Sequence, residues 1–114
     1  PFELYGDGTQ SRSFTYVDDA VEATIAALER GRAGSVFNVG GGTEVSMLDA
    51  IEALARIAGR RLEVVRLARR DGDAARTSAD TSRIREELGW TPATAFEDGL
   101  EAQWRWAAAR VAAA

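Results

Sequence analysis

Arg12, Arg69 and Arg70 are the side chains on which chemistry could be built, because each stands in or beside a turn rich in glycine and aspartate. Arg12 follows Gly6-Asp7-Gly8 and precedes the aromatic run Phe14-Thr15-Tyr16, while Arg69-Arg70 opens the loop Asp71-Gly72-Asp73. A guanidinium is permanently charged, and its planar fork of donors matches pairs of phosphate oxygens. A carboxylate beside it can accept sugar hydroxyls. This residue set reads as a binder of an anionic, hydroxylated ligand, although adjacent arginines in a polar loop also serve simply to solvate it.

The same inventory excludes much catalysis. All 14 basic residues are arginine, and the chain has no lysine, histidine or cysteine. It therefore offers no Schiff base, no phosphate-loop lysine, no imidazole base and no ordinary zinc site; no metal is expected. Paired acids do not replace them. Asp18-Asp19 stands where a helix begins and is explained by capping, with no second acid placed across a cleft. Gly40-Gly41-Gly42 lies before a helix, where backbone N–H groups attract phosphate. Matching it to a dinucleotide loop puts Val45 at the third glycine position, and a β-branched residue there obstructs helix-to-strand packing. Trp90, Trp104 and Trp106 could stack on bases, but two of them lie in or beside helical patterns and are read as core or interface.

Bulk properties set the frame. The 114 residues imply one domain, and 46% hydrophobic with 28% charged residues is an ordinary globular composition. A net charge of -4 disfavours nucleic acid and anionic membranes as partners. No apolar run approaches the roughly 20 residues of a membrane span, and no secretory signal opens the chain, so a cytoplasmic setting is expected.

The elements that must position these residues follow from local pattern. Pro1 to Tyr5 is extended, and Phe14-Thr15-Tyr16-Val17 has strand composition. Asp18 or Asp19 caps a helix whose Val21, Ile25 and Leu28 form one face, and Gly31 gives it a left-handed stop. Ser35 to Val39 reads as a buried strand. Ser46 caps the next helix, which carries Leu48, Ile51, Leu54 and Ala58 on one face and ends at Gly59. Leu62 to Leu67 is a strand, and residues 69–73 are an aperiodic loop of the kind that carries ligand contacts. A short helix starts at Asp80 or Thr81 with Ile84 and Leu88 inward. Thr94-Ala95-Phe96-Glu97 is a capping box for a last helix bearing Phe96, Leu100, Trp104 and Val111.

Taken in order, Gly6-Asp7-Gly8-Thr9-Gln10-Ser11-Arg12-Ser13-Phe14-Thr15-Tyr16-Val17-Asp18-Asp19, Val36-Phe37-Asn38-Val39-Gly40-Gly41-Gly42, Gly72-Asp73 with Ala79-Asp80, and Leu88-Gly89-Trp90-Thr91-Pro92 resemble the C-terminal portion of the extended short-chain dehydrogenases. The resemblance is to the NAD-dependent sugar-nucleotide epimerases and dehydratases, of the UDP-glucose 4-epimerase type, and it runs from about Leu4 to Leu100. It implies an α/β substrate-binding domain of about four helices with a few short strands, residues 1–114 being a fragment without the Rossmann domain. In that family the missing domain binds NAD and supplies a Tyr-x-x-x-Lys pair; neither Tyr5 nor Tyr16 has the lysine. No cofactor is expected on this chain alone, and no catalytic residue.

The resemblance implies that Arg12 and Arg70 contact the diphosphate of a UDP- or dTDP-sugar from opposite sides, that Asp73 accepts a ribose hydroxyl, and that Leu4-Tyr5 meets the base mainly through its backbone. Ser13 stands where the family usually has aspartate, and Asp71 where it usually has proline. Those departures favour an alternative: a non-catalytic interaction or oligomerisation module that keeps the fold without the ligand. Loss of the Rossmann domain is also expected to expose apolar surface, through which the chain self-associates.

Overall fold

Short extended runs beside glycine-bearing turns make short strands, and periodic apolar runs make the helices. The computed structural model describes residues 1–112, in the order β1 (Phe2–Tyr5), β2 (Ser11–Ser13), α1 (Val17–Arg30), β3 (Glu44–Ser46), α2 (Met47–Ala58), β4 (Val64–Leu67), β5 (Arg76–Thr77), α3 (Ser82–Leu88) and α4 (Phe96–Ala112). This is the expected architecture of four helices with a few short strands. Among the described residues no helix is long and apolar enough to cross a membrane.

The strands form two small sheets. β1 pairs with β4 in parallel, Phe2 opposite Val64 and Tyr5 opposite Leu67. β2 is the middle strand of the other sheet, antiparallel to β3 and parallel to β5. Ser11 faces both Ser46 and Arg76 in register, and Arg12 faces Val45 and Thr77. Because side chains alternate along a strand, Arg12 projects from the sheet face opposite Ser11 and Ser13.

The core lies between α1 and α3. Ala23 and Ala26 of α1 pack with Ile84 and Leu88 of α3 and with Trp90, and Phe37 closes the cluster. The expected inward face of α1 is corrected: Val21, Ile25 and Leu28 are 50%, 47% and 84% exposed. Alanines let the two helices approach closely, and the larger side chains are left on the outer face. The segment 35–39 is also corrected. Val36 is exposed, Phe37 points inward, and the stretch joins no sheet.

Several caps differ from the local expectation. The strand expected at residues 14–17 lies earlier, at β2, since Val17 already begins α1. Tyr16 occupies the N-cap position of α1 without a side-chain cap bond. Gly31 ends α1 at φ -71, in no left-handed turn. Glycine is needed there for clearance, because a Cβ would lie 2.4 Å from the Ala27 carbonyl oxygen. Ser46 does cap α2, accepting from the Asp49 N–H at 3.1 Å. Asp80 accepts from the Ser82 N–H at 2.9 Å at the start of α3.

Asp19 is the buried exception. It is 3% exposed, and it accepts hydrogen bonds from the Ala93 N–H, the Thr94 N–H and the Thr94 hydroxyl at 3.1, 3.1 and 3.2 Å. Thr94 therefore spends its capping groups on Asp19, and the expected box with Glu97 does not form; Glu97 pairs with Arg56 instead. One carboxylate ties the start of α1 to the turn that launches α4. Asp19→Ala is expected to lower the unfolding free energy by about 3 kcal/mol, since it strands buried donors that now bond to a charged acceptor. Asp19→Asn, which keeps one acceptor oxygen, should lose less. Urea unfolding measures both, and a loss for Asp19→Ala no larger than that of an exposed surface change would refute the pinning role.

Candidate functional site

The carboxyl ends of parallel strands are where open α/β sheets place ligands, because the following loops diverge there. Here the carboxyl ends of β1 and β4 lie side by side. Tyr5 ends β1, and the loop that contains Arg69, Arg70 and Asp73 leaves β4 directly opposite. The Gly6 N–H continues the pairing by donating to the Leu67 carbonyl at 3.0 Å. Gln10 braces the edge, its side-chain amide donating to the Tyr5 carbonyl at 2.8 Å.

All four residues singled out in the sequence gather at this edge. Arg12 reaches from β2 to Asp73, Nη2 to Oδ1 at 2.6 Å, and the two side chains are 27% and 28% exposed. Its other terminal nitrogen donates to the Ser11 carbonyl at 2.8 Å. Arg70 lies over the Tyr5 ring with Cζ 3.8 Å from the centroid, and it hydrogen-bonds to the Tyr5 hydroxyl. Arg69 donates to the Asp73 backbone carbonyl at 3.0 Å. The loop is closed on itself by the Asp73 N–H to the Arg70 carbonyl at 3.2 Å.

One of these contributions was not legible from residue type. Gln10 is a polar residue in a turn between strands, a weak signal at best. Arg69, singled out with Arg70 in the sequence, engages the same loop through the Asp73 carbonyl.

β2 is held in place by a clasp on its other face. Glu44 of β3 and Arg76 of β5 flank it, and their side chains meet over it at 2.6 Å and 2.5 Å while the Ser11 hydroxyl donates to Glu44 at 3.1 Å. The Arg76 fork is the main reason the Glu44 carboxyl falls from 4.5 to about 2; hydrogen bonds from Ser11 and Ser78 act in the same direction.

This geometry can bind and orient an anion. Three guanidinium groups and one carboxylate face a common edge, and each arginine retains donors beyond those already used. The triple glycine does not fit a dinucleotide cradle. A Cβ on Gly41 would lie 1.6 Å from the Phe14 carbonyl oxygen and one on Gly40 would lie 2.8 Å from the Ala79 Cβ, so this turn is packed against the chain itself.

Comparison with known proteins agrees in family and fold. The family model described as GDP-mannose 4,6 dehydratase matches residues 2–103. A dTDP-glucose 4,6-dehydratase of Streptomyces niveus is 39% identical over 104 residues, covering 90% of this chain and 31% of that protein. The structure of UDP-glucuronic acid 4-epimerase from Bacillus cereus in complex with UDP-glucuronic acid and NAD superposes with a TM-score of 0.87 at 39% identity, over 93% of this chain and 34% of that one. A UDP-glucose 4-epimerase from Thermotoga maritima with UDP-glucose gives a TM-score of 0.90 at 32% identity, over 96% and 35%. The chain thus spans about a third of the length of the relatives it matches.

The clasp predicts an acid response. A carboxyl with a depressed folded-state value stabilises the fold fully above its ordinary 4.5, and that contribution fades as pH falls towards about 2. Between these limits the wild-type chain should lose stability steadily, and Glu44→Gln should remove part of that dependence. Thermal unfolding at stepped pH measures the slope; identical slopes in the two proteins would contradict the assignment.

Proposed function

This chain belongs to the GDP-mannose 4,6-dehydratase family, within the extended short-chain dehydrogenases, and we propose that it forms the nucleotide-sugar-binding part of an NAD-dependent sugar-nucleotide epimerase or dehydratase. One observation carries the reading: Tyr5, Arg12, Arg70 and Asp73, drawn from three separate segments, meet at the carboxyl edge of the β1–β4 pair. In this reading Arg12 and Arg70 grip the diphosphate, Asp73 accepts a ribose hydroxyl, and the Leu4-Tyr5 backbone borders the base. The relatives' complexes with UDP-sugars and NAD support the substrate class.

The role of these residues is binding energy. Contacts to the nucleotide, remote from the reacting carbon, orient the sugar for hydride and proton transfers carried out elsewhere in the protein. NAD supplies hydride chemistry in that scheme, from a domain that would cover the outward apolar face of α1 and the unpaired segment 35–39. Val21, Ile25, Leu28 and Val36, all at least 47% exposed, are suited to such a cover. The chain alone lacks the tyrosine–lysine pair and should convert no sugar nucleotide.

To give phosphate the nitrogen that now holds Asp73, Arg12 would turn that part of its fork away from the carboxylate. The same motion frees Asp73 for a hydroxyl, so the two proposed contacts form together. Calorimetric titration with UDP, UDP-glucose and a dTDP-sugar is expected to give saturable binding. Arg12→Ala and Arg70→Ala should each weaken it by roughly tenfold to a hundredfold, the worth of a charge-assisted hydrogen bond. Absence of heat with all three ligands, or binding indifferent to both substitutions, would sink the proposal.

A further inference from the structure

Arg12 is neutralised by a group that stands in the candidate site itself. Its Nη2 holds the Asp73 Oδ1 at 2.6 Å, and its Nη1 donates to the Ser11 carbonyl at 2.8 Å. A guanidinium has two edges that take oxygens in pairs, Nη1 with Nη2 and Nη2 with Nε, and both include the nitrogen that holds Asp73. A phosphate gripped in pairs therefore either displaces the Asp73 carboxylate or lies against it. Either arrangement weakens binding, because the carboxylate becomes a like charge beside the phosphate. With the two side chains only 27% and 28% exposed, water screens that repulsion incompletely.

Arg70 is held in another way. Its partners are the face of the Tyr5 ring, with Cζ 3.8 Å from the centroid, and the Tyr5 hydroxyl. Releasing it uncovers a neutral phenol, so that contact does not oppose an incoming anion. Among the described residues the Asp73 carboxylate has Arg12 as its one hydrogen-bond donor. The loop around it is closed by backbone groups instead, the Asp73 N–H to the Arg70 carbonyl and Arg69 to the Asp73 carbonyl. The carboxylate is thus free to change partner without opening the loop.

We propose that Asp73 is a specificity-determining residue that makes this site reject bare phosphate anions; the inference rests on the nucleotide-sugar reading above. Inorganic phosphate and pyrophosphate bring charge but no hydroxyl donors for the carboxylate, and they leave it unpaired. A diphosphate that carries a ribose brings hydroxyls, which satisfy the carboxylate as Arg12 turns to the phosphate. Specificity is a difference of affinities, and an unpaired charge set against the wrong ligand contributes to it as surely as a contact to the right one. Asp73 therefore opposes half of the ligand when that half arrives alone.

Calorimetric titration of the full chain with pyrophosphate and with UDP, both free of divalent metal, tests this in the wild type, Asp73→Asn and Asp71→Asn. Asparagine keeps the shape of the side chain and removes its charge. The wild type is expected to bind UDP about tenfold more tightly than pyrophosphate, and Asp73→Asn should bind pyrophosphate about tenfold more tightly than the wild type does, the scale of one charge-assisted hydrogen bond. UDP should gain much less, since the lost ribose contact offsets the relief, and selectivity should fall. A damaged loop would weaken pyrophosphate binding, the opposite sign. Asp71→Asn removes the same charge from an exposed position of the same loop and should shift both ligands alike. With UDP binding intact, the proposal is overturned by a wild type that does not prefer UDP, by pyrophosphate affinity that is unchanged or lower in Asp73→Asn, or by an equal loss of selectivity in Asp71→Asn. No binding of UDP to the wild type would instead remove the nucleotide-sugar reading, and this inference with it.

Discussion

The parallel pairing of β1 with β4 is the constraint on which the remainder of this structure rests. Parallel strands cannot be joined by a tight turn, so the chain between them must travel far, and here it builds β2, α1, β3 and α2 before it returns. The pairing aligns the two carboxyl ends, and there the loops that follow β1 and β4 reach each other. Tyr5 and Arg70 stack because Tyr5 lies opposite Leu67 in the ladder. Slipping the register by one residue would turn Leu4, the most buried side chain of β1, away from its packing. The position of the site is thus enforced by the burial of Leu4, not by the polar contacts that would use it.

A small domain has little apolar volume with which to enforce anything, and this one divides it. One cluster sits between α1 and α3; the groove between α2 and α4 is only partly filled. With extents of 47 × 38 × 21 Å the molecule is a slab about two layers of secondary structure thick. Polar pins compensate. Asp19 connects the two halves through three hydrogen bonds in a buried setting, where each is worth more than at the surface. Arg30 adds a smaller tie, donating to the Leu88 carbonyl at 2.9 Å.

Local pattern made much of this legible. The Ser46 cap with its Gly59 stop, the inward Ile84 and Leu88, and the aperiodic loop at residues 69–73 are all encoded within a few residues of where they act. The orientation of α1 was not. Its periodicity identifies two faces, one of alanines and one of valine, isoleucine and leucine, and hydrophobicity alone selects the second. Close packing against α3 selects the first, which only the neighbour could reveal. Strand composition at Phe14 to Val17 likewise misleads, because these aromatics fill space beside α4, where Phe14 and Phe96 have ring centroids 5.1 Å apart. The meeting of Arg12 with Asp73 has no local signature at all; family resemblance brought the two together as ligand contacts, and no spacing rule would have done so.

Electrostatic balance at the site explains how it tolerates its own charge. Arg12, Arg69 and Arg70 crowd one edge, and like charges so placed repel unless each is engaged. Each is: Arg12 by the Asp73 carboxylate, Arg69 by the Asp73 carbonyl, Arg70 by the face and hydroxyl of Tyr5. Asp73 is therefore the centre of the arrangement, holding one guanidinium through its side chain and another through its backbone. A diphosphate arriving at this edge would replace that single carboxylate with a larger negative charge shared among the same arginines. The carboxylate it displaces then needs donors, and the hydroxyls of an attached ribose can supply them. Asp71 adds opposing charge to the loop, and Arg69, an extra guanidinium two residues away, offsets it. In the proposed site, Asp71 and Arg69 would adjust the strength of the grip, while Arg12, Arg70 and Asp73 would determine what is gripped.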